Sequence, residues 1–313
     1  MLDNVSLNKF SLTSGEYHML EKRFKGQTRE TRTDNVVHKH TMKFGSLTIS
    51  FSQTMLNISG SITKFYFRNN VEQLSFVQLH HAVSQLEEYL NLGLADCILS
   101  KAEFAFNFGL SHKPEVYVPI FGKHSRLGLP TVSHGSTVYF EHNSRRLKFY
   151  NKGNDAIAKK MDYPDVLQPM NIGRIELTFK SKMKRQIGFN TLGELLEKEN
   201  YSALVDYWYN DYLTIHKLSE FNKEWGFSSL SQMVNYGFNE WCNSKGYSYV
   251  YSAIEQENHK GNITNGRMAS RMKSRLNKAF SDSTDAQQGN LIEEMDNCVK
   301  YCFKEAKIQL MRA

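Results

Sequence analysis

The stretch Arg145-Arg146-Leu147-Lys148-Phe149-Tyr150-Asn151-Lys152 alternates apolar with polar residues. As a β-strand it points Leu147 and Phe149 to one side and Lys148, Tyr150 and Lys152 to the other, because successive strand side chains leave opposite faces. A tyrosine framed by two lysines implies a negatively charged partner. Two further segments share the design. Lys101 to Phe108 sets Glu103 and Asn107 opposite three phenylalanines, and Arg174 to Lys180 sets Arg174, Glu176 and Lys180 opposite Ile175, Leu177 and Phe179. If the three strands lie in one sheet, one face is core and the other gathers a tyrosine, two glutamates and several cations.

Working outward, Ser136–Glu141 and Arg146–Tyr150 flank His142-Asn143-Ser144-Arg145, the pattern of a hairpin whose second arm is the opening strand. From Val36 to about Phe67, short alternating bursts predict an antiparallel meander, with Gly60-Ser61 read as a turn before a bulge or a close approach to a ligand. Ser75 to Leu92 has apolar residues at helical spacing and Gly93 just past its end. Helices are also expected over Thr191–Leu196, Tyr201–Leu218, Ser228–Cys242, Asn265–Phe280 and Asn290–Met311. The predicted fold is α+β: a curved antiparallel sheet with helices packed on one face (residues 1–218), followed by an all-helical C-terminal domain (219–313).

The chain has 313 residues and a formal net charge of +7, which favours a polyanionic partner without choosing among nucleic acid, anionic membrane and acidic protein. Between Arg145 and Arg185, eleven Lys/Arg stand against four Asp/Glu, so the positive excess gathers around Tyr150. No segment approaches the roughly 20 consecutive apolar residues of a membrane helix, and the chain reads as cytoplasmic. Of Cys97, Cys242, Cys298 and Cys302 only the last two are close, with no histidine beside them, so buried reduced thiols are expected rather than a zinc site.

A phenol titrates near pH 10, so a tyrosine nucleophile requires cations that stabilise its phenolate, as Lys148 and Lys152 could. Glu103 and Glu176 would repel a phosphodiester unless a divalent cation lay between them; Mg²⁺ or Mn²⁺ among oxygen ligands would act there as a Lewis acid. The competing reading is bland: strand tyrosines commonly serve packing, and exposed Glu–Lys pairs contribute only about 0–1 kcal/mol. His38-Lys39-His40 puts two imidazoles on one strand face, but with lysine where a paired-histidine metal motif normally has an apolar residue. His142 and Arg145 have the spacing of a recombinase pair but fall in the hairpin turn.

The ordered succession of Ser100–Phe106, Arg146–Lys152 and Gly173–Lys180, followed by Trp208 and Tyr212, resembles the phage and plasmid rolling-circle replication initiators of the filamentous-phage gene II and Bacteroidetes phage-plasmid type. The resemblance spans roughly residues 60–218. It implies a metal-dependent, site-specific DNA nicking and joining enzyme in which Tyr150 attacks the origin strand, leaves a 5′-phosphotyrosine and frees a 3′-hydroxyl primer. It places Lys152 beside the nucleophile as a catalytic group and Glu103 and Glu176 as ligands of Mg²⁺ or Mn²⁺, although the first motif more often carries Asp. Lys148, Arg146, Arg174 and Lys180, with Arg271 and Arg275 of the C-terminal region, are the expected DNA contacts. Origin DNA, host helicase and host polymerase are the implied partners. A non-catalytic DNA-binding regulator and a conjugative relaxase remain as alternatives, with Tyr212 as a second nucleophile candidate.

Overall fold

The computed structural model describes residues 1–33, 36–158, 171–218, 247–261, 266–281 and 289–313, together with Lys245 and Ile263. Its strands are β1 (Leu2–Phe10), β2 (Arg29–Thr33), β3 (Val36–Phe44), β4 (Leu47–Phe51), β5 (Met55–Ser61), β6 (Ile98–Leu110), β7 (Phe121–His124), β8 (Thr131–Ser133), β9 (Thr137–His142), β10 (Arg145–Asn151), β11 (Asn171–Phe179) and β12 (Ile215–Lys217). Ten of them form one antiparallel sheet in the order β2-β3-β4-β5-β1-β6-β11-β10-β9-β8, while β7 and β12 pair separately. The helices are α1 (Ser14–Arg23), α2 (Ile62–Phe67), α3 (Phe76–Leu90), α4 (Lys152–Ala158), α5 (Met183–Ile187), α6 (Leu192–Leu195), α7 (Lys198–Leu213), α8 (Tyr247–His259), α9 (Gly266–Ser281) and α10 (Gly289–Arg312). The class is α+β, as expected.

The alternation in the sequence decides which face is buried. Phe104, Phe106, Leu147, Phe149, Ile175, Leu177 and Phe179 all lie in one core with the apolar stripes of α3, α7 and α10. Trp208 of α7 seats its ring 4.4 Å from that of Phe106 and donates its indole N–H to the Ile175 carbonyl at 3.3 Å. The long helices therefore pack on one side of the sheet. Helix α3 begins at a Ser75/Gln78 capping box and ends at Asn91, whose left-handed backbone (φ 53°) takes the role expected of Gly93.

Three local expectations are corrected. The central strand β1 was not anticipated, because a register shift between Leu2 and Val5 breaks its alternation. Gly60 is no turn residue: it lies within β5, where a Cβ would meet the Ser46 carbonyl oxygen at 2.5 Å, and Ser61 caps α2. Strand β10 ends at Asn151, so Lys152 opens α4 instead of continuing the strand face.

Within the expected 219–313 unit, α8 and α9 share a small cluster of Val250, Ile254, Ala269 and Leu276, whereas α10 packs into the sheet core through Met295, Val299, Cys302, Ala306 and Leu310. The expected boundary near 219, the helix over Ser228–Cys242 and Cys242 fall outside the described residues. Cys97 and Cys302 are buried free thiols, each pushed up to about 12 chiefly by burial. At pH 8 a thiol reagent should therefore modify these two only on unfolding. Fast labelling of native Cys97, read by peptide mass, would contradict the packing around it.

Candidate active site

The three strands adjoin. Strand β11 pairs with β10 on one side and β6 on the other, setting Tyr150 across from Arg174, and Lys148 across from Glu176. On the other flank Arg174 lies across from Asn107, Glu176 from Ala105, and Thr178 from Glu103. Alternation thus carries Tyr150, Lys148, Glu176, Arg174, Glu103 and Asn107 to the face opposite the helices. Strand β1, beside β6, adds Asp3. Carboxylate oxygens of Asp3, Glu103 and Glu176 all lie within 4.8 Å of one another, and no other such trio of His, Cys, Asp or Glu occurs among the described residues.

Arg174 is the electrostatic centre. Only 3% exposed, it pairs with Asp3, reaches Glu176 Oε2 at 3.3 Å, and donates from one terminal nitrogen to the Asn107 side-chain oxygen and the Asn70 carbonyl, each at 3.2 Å. Asp3 also accepts from Ser61 and, at 3.1 Å, from Asn70. Lys148 reaches the other oxygen of Glu176 at 3.0 Å, and Lys101 pairs with Glu103 at 2.6 Å. Burial opposes ionisation of all three acids, yet Arg174 holds Asp3 below the usual carboxylate range, and Arg174 with Lys148 does so for Glu176. Glu103 is pushed up, by burial and then by the charge of Glu176. Three cations, Arg174, Lys148 and Lys101, face the three acids, yet the raised Glu103 marks repulsion that they leave in place, and three converging carboxylates suit a hard divalent cation.

The Tyr150 hydroxyl donates to Glu176 Oε2 at 3.3 Å, and the Lys148 ammonium lies 4.1 Å from the ring centroid. Burial pushes this phenol well above its ordinary value; Glu176, Asp155 and Asp3 add to the shift and Arg174 opposes it. Lys152 is fully buried, bonds Asn70 at 2.8 Å and Asp155 at 3.0 Å, and lies 5.9 Å from the Tyr150 ring centroid. Burial, then the neighbouring Arg174, lowers its ammonium to about 8.

Several expected positions fall elsewhere. Arg174 is no surface contact, since its guanidinium is buried and committed to Asp3, Glu176, Asn107 and Asn70. Arg146 and Lys180 lie on the rim of the same sheet, both paired with Glu141, whose carboxyl they hold down at about 2. Arg271 is exposed on α9, away from the sheet, and the side chain of Arg275 lies outside the described residues. Tyr212 is fully buried on the helix side, where its hydroxyl donates to Asp296 at 2.5 Å, so α7 does not carry it to this face. His40 stacks on Phe51 at 4.8 Å and bonds Tyr17 and Thr28; with His38 it belongs to β3, four strands away from β6.

Sequence reasoning missed Asp3, Asn70 and Asn107's bond to Arg174. Asp3 lies within the pattern-breaking irregularity of β1, between Leu2 and Val5, and Asn70 lies in the α2–α3 connection, where nothing local marks a buried partner for a lysine.

The polar face defines a class: a tyrosine hydrogen-bonded to one of three converging carboxylates, on an antiparallel sheet backed by helices. Residues 13–203 match the family described as the N-terminal part of the replication-associated gene II protein, and the chain belongs to that family of phage replication initiation proteins. A comparison with curated proteins gave no match. No helix among the described residues is long and apolar enough to cross a membrane.

Proposed function

We propose that the chain nicks one strand of its origin DNA through Tyr150. The observation that carries this reading is the hydrogen bond from the Tyr150 phenol to Glu176, one of three converging carboxylates. In the reaction the Tyr150 oxygen attacks the scissile phosphorus, an O–P bond forms, and the bond from phosphorus to the 3′ oxygen breaks. The products are a 5′-phosphotyrosine and a strand ending in a 3′-hydroxyl, the phenolic proton passing to solvent and the leaving oxygen taking one up. Asp3, Glu103 and Glu176 would hold Mg²⁺ or Mn²⁺, which when bound supplies Lewis-acid polarisation of the phosphate.

The chain's own groups do the rest. Glu176 accepts the phenol's hydrogen bond and so orients its oxygen. Arg174, from beneath, keeps Asp3 and Glu176 ionised and in place; it is a positioning residue. Lys148 and Lys152 supply positive charge beside the ring, favouring the phenolate and then the phosphorane-like transition state. Arg146 and Lys180, both paired with Glu141 on the rim, would contact the strand's phosphates. The 3′-hydroxyl would serve host polymerase as primer once a host helicase opens the duplex, in the cytoplasm of a bacterial host.

Supercoiled plasmid bearing the element's origin tests the reading. With Mn²⁺ it should become open circle with protein bound at the 5′ end, and with EDTA it should stay supercoiled. Binding without a cut in both buffers would mark a non-catalytic regulator instead.

A further inference from the structure

We propose that the open face of β2, β3, β4, β5, β1 and β6 is a seat for the phosphate backbone of duplex DNA, running from a basic ribbon at the sheet's edge to the carboxylate trio. The proposal rests on the nicking reading for its choice of nucleic acid as partner.

Cross-strand register defines the surface. One row of direct neighbours runs Arg29, Thr41, Ser50, Asn57, Asn8 across five strands. The next runs Lys43, Thr48, Ser59, Ser6, Lys101 and ends two residues along β6 from Glu103. Both rows lie on the face that carries Glu103, because Lys101 and Glu103 share a side of β6. Apart from the terminal cations, every side chain in them is a neutral hydroxyl or amide, the groups that with Arg and Lys make most backbone contacts to DNA, and all but the buried Ser50 are at least partly exposed. No carboxylate interrupts either row. The amides and hydroxyls are already aligned across strands: Asn57 donates to Asn8 at 2.8 Å, and Asn8 to Ser100 at 2.8 Å.

At the outer edge the surface becomes a ribbon. Strand β3 pairs with β4 only from His40 onward, so its residues 36–39 pair with β2 alone, and all five residues of β2 are exposed. Among the described residues, no ion pair or side-chain hydrogen bond engages Arg29 or Lys39, whereas Arg32 is held by Glu30. A two-stranded ribbon of this kind fits the major groove of B-DNA. From β2 to β6 the five interstrand steps of about 4.8 Å make roughly 24 Å, enough to follow about seven nucleotides of one strand at 3.4 Å rise.

The surface fits a duplex better than a single strand. Single-strand platforms stack successive bases on aromatic rings, and among the described residues this face offers only Phe10, exposed at its corner beside Met55.

The test is binding in EDTA buffer, where cleavage does not intervene, with a short blunt duplex of arbitrary sequence and an oligo(dT) strand as probes. The Arg29→Ala/Lys39→Ala/Lys43→Ala variant should bind the duplex more weakly, with the slope of log K against log salt shallower by up to about 2.7, roughly 0.9 per lost phosphate contact, and oligo(dT) binding should change less. Lys300→Ala/Lys304→Ala, which removes exposed lysines from α10 on the opposite side of the sheet, should leave the slope as in the wild type. An unchanged slope in the triple variant, an equal loss for both probes, or an equal loss in the α10 variant would overturn the proposal. Because no chemistry is read, a chain that fails to nick would sink the tyrosine reading and leave this result standing.

Discussion

Tyr150→Phe protein should leave origin plasmid supercoiled and give no covalent protein–DNA band on a denaturing gel, a loss on the order of 10⁴–10⁶ in rate, as when other enzymes lose their nucleophile. The substitution removes one oxygen whose bond to Glu176 is 3.3 Å long, so the melting temperature should hardly move. Burial and the nearby carboxylates keep the phenol protonated, so only a small phenolate fraction exists at neutral pH. That fraction grows about tenfold per pH unit, and the nicking rate should rise with pH through the neutral range. Tyr212→Phe should nick like the wild type, because its hydroxyl is buried against Asp296 behind the sheet. An adduct formed by the Tyr150→Phe protein would place the nucleophile elsewhere.

The readable part of this molecule was whatever alternation carries. Period-two patterns in Lys101–Phe108, Arg145–Asn151 and Arg174–Phe179 gave three strands, their buried faces and the side on which Tyr150, Glu103 and Glu176 meet. What alternation does not carry is which strands are neighbours and what enters from afar. Asp3 comes to the site over a hundred residues of sequence from its neighbours on β6, through a strand whose bulge hides its period. Burial was equally invisible. Arg174 and Lys152 look like any surface cation in sequence, yet one lies under the carboxylates and the other begins a helix that closes over the site's end, where Ala156 packs on Val71 and Ile172. The same limit applies to Tyr212: its helix, expected over Tyr201–Leu218, ends at Leu213 ahead of strand β12, and its face is set by packing against β11 and α10.

Asp3→Asn is the sharper test of the metal reading, because it keeps the shape of the side chain and removes one negative charge from the trio. In wild-type protein, Mn²⁺ at a hundred times its dissociation constant should stabilise the fold by about 2.7 kcal/mol, since it binds the folded trio and not the unfolded chain. In Asp3→Asn that gain should shrink or vanish and nicking should fall with it, while binding of duplex in EDTA persists. With the trio intact and no cation, Glu103 is pushed up by its burial and by Glu176. Asp3 adds to that push, so the metal-free variant loses an Arg174 partner but eases the ionisation of Glu103, while a bound cation loses one of its three carboxylates. Arg174→Met acts oppositely: it leaves the buried carboxylates of Asp3 and Glu176 without the guanidinium they share, and should cost about 3–5 kcal/mol, the scale of a broken buried ion pair. Part of that cost should return on adding Mn²⁺, since the cation replaces the missing charge. A melting temperature of Asp3→Asn that still climbs with Mn²⁺ as in the wild type would show that the ion binds somewhere other than between these three acids.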